Sequence, residues 1–261
     1  MPNFETITYT IKNKVATITL NSPKTINALS RKMRKELLDA VLQANEDIDA
    51  NIVVLNANGK GFCAGADLSE NYKERYDSVD GELTEEYKPF IMAINDAPKL
   101  YISSIHGAAA GAGSSLAMAC DFSIMASNAY IFQAFSAIAL VPDCGASWHL
   151  VNRLGYKRAM EMVIQAEKMP AETCLSLGLV NRVVAPEELE HKTQEWAEQL
   201  AKGAPIAQRE TKRIMQQAMR LSLSDTFDLE SASQNIAIET NDAKEGVQAF
   251  FERRPAVFNG N

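Results

Sequence analysis

The strongest constraint on this chain is a unit that occurs twice: a short apolar run leading straight into glycines. IVVLNA at 52–57 leads into GKGFCAGAD, and KLYISSI at 99–105 leads into HGAAAGAGSSLAMACD. A short continuous apolar run fits a strand buried on both faces, and the glycines after it let the backbone turn sharply and approach a ligand closely. The small residues after the second turn read as a tightly packed helix. Alternation of strand, turn and helix continues through FSIMA, a helix over 145–153 and a strand in LVNRVV at 179–184, which points to an α/β core.

Around that core the punctuation is clear. TITYTI at 6–11 and VATITL at 15–20, separated by Lys12, Asn13 and Lys14, read as a hairpin opening a sheet. After the loop NSPKTINALS, Ser30 is placed to cap a helix on which Met33, Leu37, Leu38, Val41 and Leu42 share one face. Residues 67–88 are polar and acidic, and read as a mobile, solvated segment before a helix around 84–95. Beyond Pro186 every run is helical, and several carry more apolar surface than a lone layer buries, which suggests packing across a subunit interface.

Composition excludes several classes. With 261 residues, the chain makes one large domain or two modest ones, and its net charge of −7 argues against a nucleic-acid surface. The N-terminal MPNFETITYT has neither the basic nor the apolar region of a secretion signal, and no apolar run is long enough to cross a bilayer, so a cytoplasmic protein without membrane partners is expected. Cys63, Cys120, Cys144 and Cys174 form no CxxC pair and suggest neither a disulfide framework nor a zinc site.

The chemistry is in the turns. Backbone N–H groups freed in a glycine turn or at a helix N-terminus stabilise a developing oxyanion. If GFCAGAD and AAGAGSS converge, Ala66 and Ala112 would each direct one N–H at the same carbonyl oxygen. Close helix–strand packing by small residues accounts for the same pattern equally well. Neither turn matches a dinucleotide or P-loop fingerprint.

Five stretches in order, GKGFCAGADL, HGAAAGAGSSLAMACDFSIMA, LVPDCGASWHLVNRLGYKRAMEM, LGLVNRVV and EGVQAFFERRPAVF, resemble successive signatures of the crotonase superfamily of enoyl-CoA hydratases and isomerases, over about residues 4–258. The resemblance implies a crotonase-type spiral of ββα turns over 1–198, carrying an acyl-CoA site, and a helical C-terminal oligomerisation region over 199–261 that forms a homotrimer or a hexamer. It implies an acyl-CoA thioester as substrate, its oxygen held by the Ala66 and Ala112 N–H groups, and no metal or redox cofactor. It places Lys24 in a loop near the CoA phosphates, Ala64 in the same binding turn, and Asp67 and Leu68 along the adenine side.

The two glutamates by which hydratases of this family hold a water would fall at Ser115 and Phe135. Neither residue is a carboxylate, so hydration by that route is disfavoured. What remains is Asp143 in LVPDCGASW, where some enoyl-CoA isomerases and the ring-expanding isomerases of phenylacetyl-CoA catabolism carry their acid. One carboxylate suffices to take a proton from C2 of a 3-enoyl thioester and return it at C4. Apolar neighbours such as Phe135, Leu140, Val141 and Trp148 would raise its pKa. Sequence pattern alone also fits Asp143 as the cap of the following helix. His106 and His149 flank these segments and read as structural, and no histidine pairs in sequence with Cys63 or Cys144 to activate a nucleophile.

Overall fold

In the computed structural model, which describes residues 4–261, β1 (Ile7–Lys12) pairs antiparallel with β2 (Val15–Leu20) as the expected hairpin. Its turn puts Asn13 and Lys14 at φ 52° and 62°, and two positive φ angles in a two-residue loop match the twist of the paired strands. α1 (Arg31–Glu46) starts at Ser30, whose Oγ accepts the Met33 N–H at 3.3 Å. Met33, Leu37 and Val41 are fully buried, but Leu42 is 46% exposed, because one further residue turns a side chain about 100° around the helix.

β3 (Ile52–Ala57) begins the interior. The chain then forms α2 (Val79–Glu82), a π-helical turn at Leu83–Tyr87 and α3 (Lys88–Asn95), so helical structure starts earlier than the pattern implied. The solvated-segment reading of 67–88 fails at its C-terminal end: Tyr87 is buried, and Arg34 from α1, itself 2% exposed, hydrogen-bonds Glu82 and Glu86. β4 (Leu100–Ile105), β5 (Ala108–Ala110) and α4 (Ala112–Ala119) follow, then β6 (Phe122–Ala126) and β7 (Tyr130–Phe132). α5 (Ala146–Leu154), α6 (Tyr156–Gln165), β8 (Lys168–Pro170), α7 (Ala171–Ser176) and β9 (Arg182–Val184) complete the α/β part. β9 is shorter than LVNRVV because Leu179 and Val180, though buried, lie in the turn that leaves α7 through Gly178 at φ 74°.

The strands form two sheets. The larger has the order β1-β2-β3-β4-β6-β9, parallel from β2 onward, and the smaller has the order β5-β7-β8. Cys63 bridges Ala109 in parallel and so extends the smaller sheet. The chain therefore steps three times from the large sheet to the small one and then into helix: β3 to Cys63, β4 to β5, β6 to β7. This is a spiral of ββα turns, and the first two steps pass through glycine, at Gly59 and Gly61 and at Gly107, whereas the third runs through Ser127, Asn128 and Ala129.

α8 (Leu189–Leu200) packs on β3, β4 and β6. α9 (Pro205–Ala218), α10 (Leu223–Ile238) and α11 (Asn241–Glu252) form the helical C-terminal region, with α10 packed between α9 and α11. Lys212 of α9 reaches the core through a 3.0 Å ion pair with Asp121 and a 3.0 Å bond to the Ile94 carbonyl. Among the described residues no helix is long and apolar enough to cross a membrane.

Candidate active site

The two glycine turns meet. The Ala110 N–H donates to the Cys63 carbonyl at 2.9 Å and the Cys63 N–H to the Ala108 carbonyl at 3.0 Å. A Cβ on Gly113 would lie 2.6 Å from both the carbonyl oxygen and Sγ of Cys63. A Cβ on Gly65, which has φ +98°, would lie 2.9 Å from the Ala110 oxygen and 3.4 Å from the Ala112 nitrogen. Glycine is thus required by contact at both positions and by conformation at one.

This approach brings Ala66 and Ala112 to one place. Ala112 is the first residue of α4, so its N–H has no acceptor within the helix. Among the described residues neither the Ala66 nor the Ala112 N–H donates to a backbone carbonyl. The Gly65–Ala66 peptide is held from behind, since the Leu29 N–H donates to the Gly65 oxygen at 2.8 Å. Asn27, fully buried, steadies the approach to the turn: its amide donates to the carbonyls of Asn58, Gly61 and Phe62 at 2.9, 3.1 and 3.2 Å. Sequence reasoning passed over Asn27, although an asparagine in a loop facing a glycine turn is the signal that would have found it.

Asp143 is linked to the helix that Ala112 opens. Ser115, fully buried and one helical turn beyond Ala112, donates its hydroxyl to the Asp143 carbonyl at 3.2 Å. The cap reading is corrected: Gly145 occupies the N-cap of α5 and no side chain caps that helix. Asp143 instead accepts the Ala146 N–H with its backbone oxygen, at 2.9 Å, so its carboxylate takes no part in capping the helix. Its Oδ1 is buried without a hydrogen-bond partner. Burial lifts this carboxyl above the ordinary aspartate range, against a weaker downward pull from the Cys144 thiol. An orphaned carboxylate oxygen in a dry place is costly for folding, and it is the condition under which a carboxylate becomes a stronger base.

The walls are apolar where expected and open where they were not. Phe135, 6% exposed, approaches Gly111, with its Cζ 3.8 Å from where a Cβ would stand. Leu140 and Val141 are 53% and 78% exposed and do not enclose Asp143, because the 3₁₀ turn Ser136–Ile138 ends at Ala139 in the left-handed region and turns the chain outward. Trp148 is also misplaced by the sequence reading. Five residues past Asp143 on α5, it packs edge-on to His149 and lies under Arg220, and it lines a cavity of about 530 Å³ between α5 and α9. That cavity is lined by the Asp121–Lys212 pair and includes neither Ala66, Ala112 nor Asp143.

The remaining candidates spread along one edge. Lys24 sits on an exposed 3₁₀ turn, Pro23–Thr25, beside Gly59. Ala64 is exposed and donates its N–H to Ile26 O at 2.9 Å. Asp67 is committed to a local turn, accepting from Ser69 N and Oγ at 3.0 and 2.6 Å, and Leu68 is 74% exposed. The thiols are inert as nucleophiles: burial pushes Cys63 up to about 12, and burial followed by the Asp143 charge pushes Cys144 well above the thiol range. His149 is structural, brought to about 3 by burial and the Arg153 charge, with Nδ1 2.7 Å from that guanidinium. Among the described residues no cluster of three or more His, Cys, Asp or Glu is placed to hold a metal.

Comparison with known proteins gives the setting. The Enoyl-CoA hydratase/isomerase family profile matches residues 10–261. A probable enoyl-CoA hydratase of Rhodobacter capsulatus is 38% identical, with 99% of each chain covered. The trans-2-decenoyl-[acyl-carrier-protein] isomerase of Streptococcus mutans is 34% identical, again over 99% of each. The 1,2-epoxyphenylacetyl-CoA isomerase of Escherichia coli is 32% identical, over 96% of this chain and 97% of its own. Among solved structures, a putative enoyl-CoA hydratase/isomerase of Mycobacterium abscessus superposes with a TM-score of 0.92 at 31% identity, covering 98% of this chain and 100% of that one.

Proposed function

The chain belongs to the enoyl-CoA hydratase/isomerase family, and from that premise we propose that it is an acyl-CoA isomerase moving a double bond from the 3- to the 2-position of a CoA thioester. The thioester oxygen sits between the N–H groups of Ala66 and Ala112. Asp143 takes a proton from C2, the electron pair moves onto the thioester oxygen as an enolate, and the same carboxyl returns the proton at C4. Negative charge grows only on an oxygen already faced by two donors, and each such donor is worth ~10²–10³ in rate. The observation that carries this reading is Asp143, half-buried, with its Oδ1 shielded and without a hydrogen-bond partner and its backbone carbonyl tied through Ser115 to the helix that Ala112 opens.

Coenzyme A enters only as part of the substrate, along the edge that presents Lys24, Ala64, Asp67 and Leu68, and the reaction as written calls on no metal or redox cofactor. The Escherichia coli relative favours a second reading, isomerisation of a ring-epoxide thioester, through the same site. The Rhodobacter relative favours hydration, but Ser115 and Phe135 supply no carboxylate to hold a water. In the helical C-terminal region Phe227, Phe250 and Phe251 are 69%, 78% and 78% exposed, which supports burial of 199–261 in a homotrimer or hexamer.

The test is product analysis. The purified protein is given a 3-enoyl-CoA, a 2-enoyl-CoA and the ring-epoxide thioester separately. Conversion of the first to the 2-enoyl product without 3-hydroxyacyl-CoA is the expected result. Rapid formation of 3-hydroxyacyl-CoA from the second would overturn it in favour of a hydratase, and turnover of the epoxide alone would move the assignment to the ring isomerase.

A further inference from the structure

Arg34 is the largest fully buried side chain of the protein and stands on α1, outside the glycine turns. Its guanidinium makes contacts in three directions. Nη1 donates to the Leu29 carbonyl at 2.6 Å and to the Tyr87 hydroxyl at 2.9 Å. Nε and Nη2 donate to Glu86 Oε2 at 2.9 and 2.5 Å, and Nη2 donates to Glu82 at 3.0 Å. The guanidinium carbon also lies 4.5 Å from the centre of the Tyr87 ring. Burying a cation among carboxylates is costly unless every donor finds an acceptor, and a buried pair of this kind is weak evidence for stability alone.

What these contacts join is more informative. Leu29, whose carbonyl Arg34 holds, is the residue whose own N–H holds the Gly65 carbonyl at 2.8 Å. The Gly65 carbonyl belongs to the same rigid peptide unit as the Ala66 N–H, so a tilt at Leu29 becomes a tilt of the donor facing the thioester oxygen. Glu82, Glu86 and Tyr87 belong to the helical segment 79–87. Glu86 is anchored on its other oxygen by Arg75 and Tyr76, both at 3.0 Å. Burial opposes its ionisation, but the hydrogen bond and charge of Arg34 hold Glu86 below the usual carboxylate range.

We propose that Arg34 is a positioning residue for the reaction: through Leu29 it fixes the Gly65–Ala66 peptide, and through Glu82, Glu86 and Tyr87 it fixes segment 79–87, so the oxyanion donor and that segment move as one unit. The reaction it serves is the isomerisation proposed above, and the inference rests on that reading for its kinetic part only. Lysine would keep the charge at this position but not the planar fork that reaches four acceptors at once.

The experiment compares Arg34→Lys and Glu86→Gln with wild type, each first shown to be folded by circular dichroism. Amide hydrogen exchange is followed in peptides covering 26–33 and 79–87, and the carbonyl stretch of bound, ¹³C-labelled crotonyl-CoA is read by infrared difference. Arg34→Lys is expected to speed exchange in both peptides and to shrink the red shift of the thioester carbonyl. Because small misplacement of a reacting group costs up to ~10²-fold, kcat should fall about 10- to 100-fold while KM stays within about threefold. Rapid exchange confined to 79–87, with a wild-type carbonyl shift and wild-type kcat, would overturn the proposal. If Arg34→Lys does not fold, Glu86→Gln decides: loosening of 79–87 must be accompanied by a smaller carbonyl shift, and an unchanged shift counts against the coupling. A wild-type protein that polarises the thioester yet moves no double bond would refute the isomerase reading and leave the exchange and infrared arms to judge Arg34 alone.

Discussion

Replacing Asp143 by asparagine keeps shape and volume and removes only the ability to accept and return a proton. Positioned general acid–base catalysis contributes about 10²–10⁴-fold, and in the proposed reaction one carboxyl serves both proton transfers. The Ser115 hydroxyl is already committed to the Asp143 backbone carbonyl at 3.2 Å. The expected loss in kcat is therefore at the upper end, about 10³–10⁴-fold, with KM within a few-fold because asparagine fills the same space. Stability decides between the two roles of the residue. A lost side-chain cap costs ~1 kcal/mol, which lowers Tm by roughly 2–4 °C in a chain of this size. No cap bond exists here, so Tm at neutral pH should hold or rise. The sign of the pH dependence follows from the raised pKa of this acid. Between the unfolded and the raised folded value the native state binds more proton than the unfolded state, so this group's contribution is present at low pH and is lost as pH rises through the folded pKa. The wild type should lose stability relative to Asp143→Asn across that window. Over the same window the wild-type kcat/KM should climb as the base ionises, a limb that the variant lacks. An Asp143→Asn protein that keeps activity within tenfold, or that melts several degrees lower at neutral pH, would refute the assignment.

Other perturbations test the frame around that residue. Gly113→Ala places a methyl group 2.6 Å from the Cys63 backbone and thiol. It should cost about 1–3 kcal/mol in denaturant melts and reduce turnover further by parting the two turns. Phe135→Ala removes a buried ring at the Gly111 turn and should cost about 3–5 kcal/mol. By admitting water it should also raise the ratio of 3-hydroxyacyl to isomerised product in a chromatographic assay, and an unchanged ratio would argue that Phe135 excludes nothing. Lys212→Met strands Asp121 and should cost about 3–5 kcal/mol in the same melts, the usual result of removing one partner of a buried pair.

The parts of this molecule legible in the sequence are those whose cause is local. The hairpin, the Ser30 cap and the glycine-flanked strands each follow from a few neighbouring residues, and all three stand where the pattern placed them. The smaller sheet was invisible because β5, β7 and β8 have three residues each and are held by partners far along the chain. Trp148 was assigned to the Asp143 pocket by proximity in sequence, yet Asp143 precedes α5, and Trp148, its third residue, faces the cavity between α5 and α9. Arg34 lies outside the apolar positions by which α1 was read, and only the folded acidic segment shows that it is buried. Whether the Asp143 side chain caps α5 could not be read locally, because the answer depends on which of its oxygens the Ala146 N–H chooses.

The meeting of the two glycine turns has a thermodynamic corollary. Ala66 and Ala112 are separated by about 45 residues and come together only once β3 and β4 have paired in parallel and both chains have crossed to the smaller sheet. A partly folded chain thus has no weakened version of the donor pair to offer. A thioester that uses both N–H groups binds the native state alone, and at a hundredfold excess over its Kd it should add about 2.7 kcal/mol to unfolding. Ligand-induced melting shifts then become a direct gauge of the assembled donor pair, readable in variants whose turnover is too slow to measure.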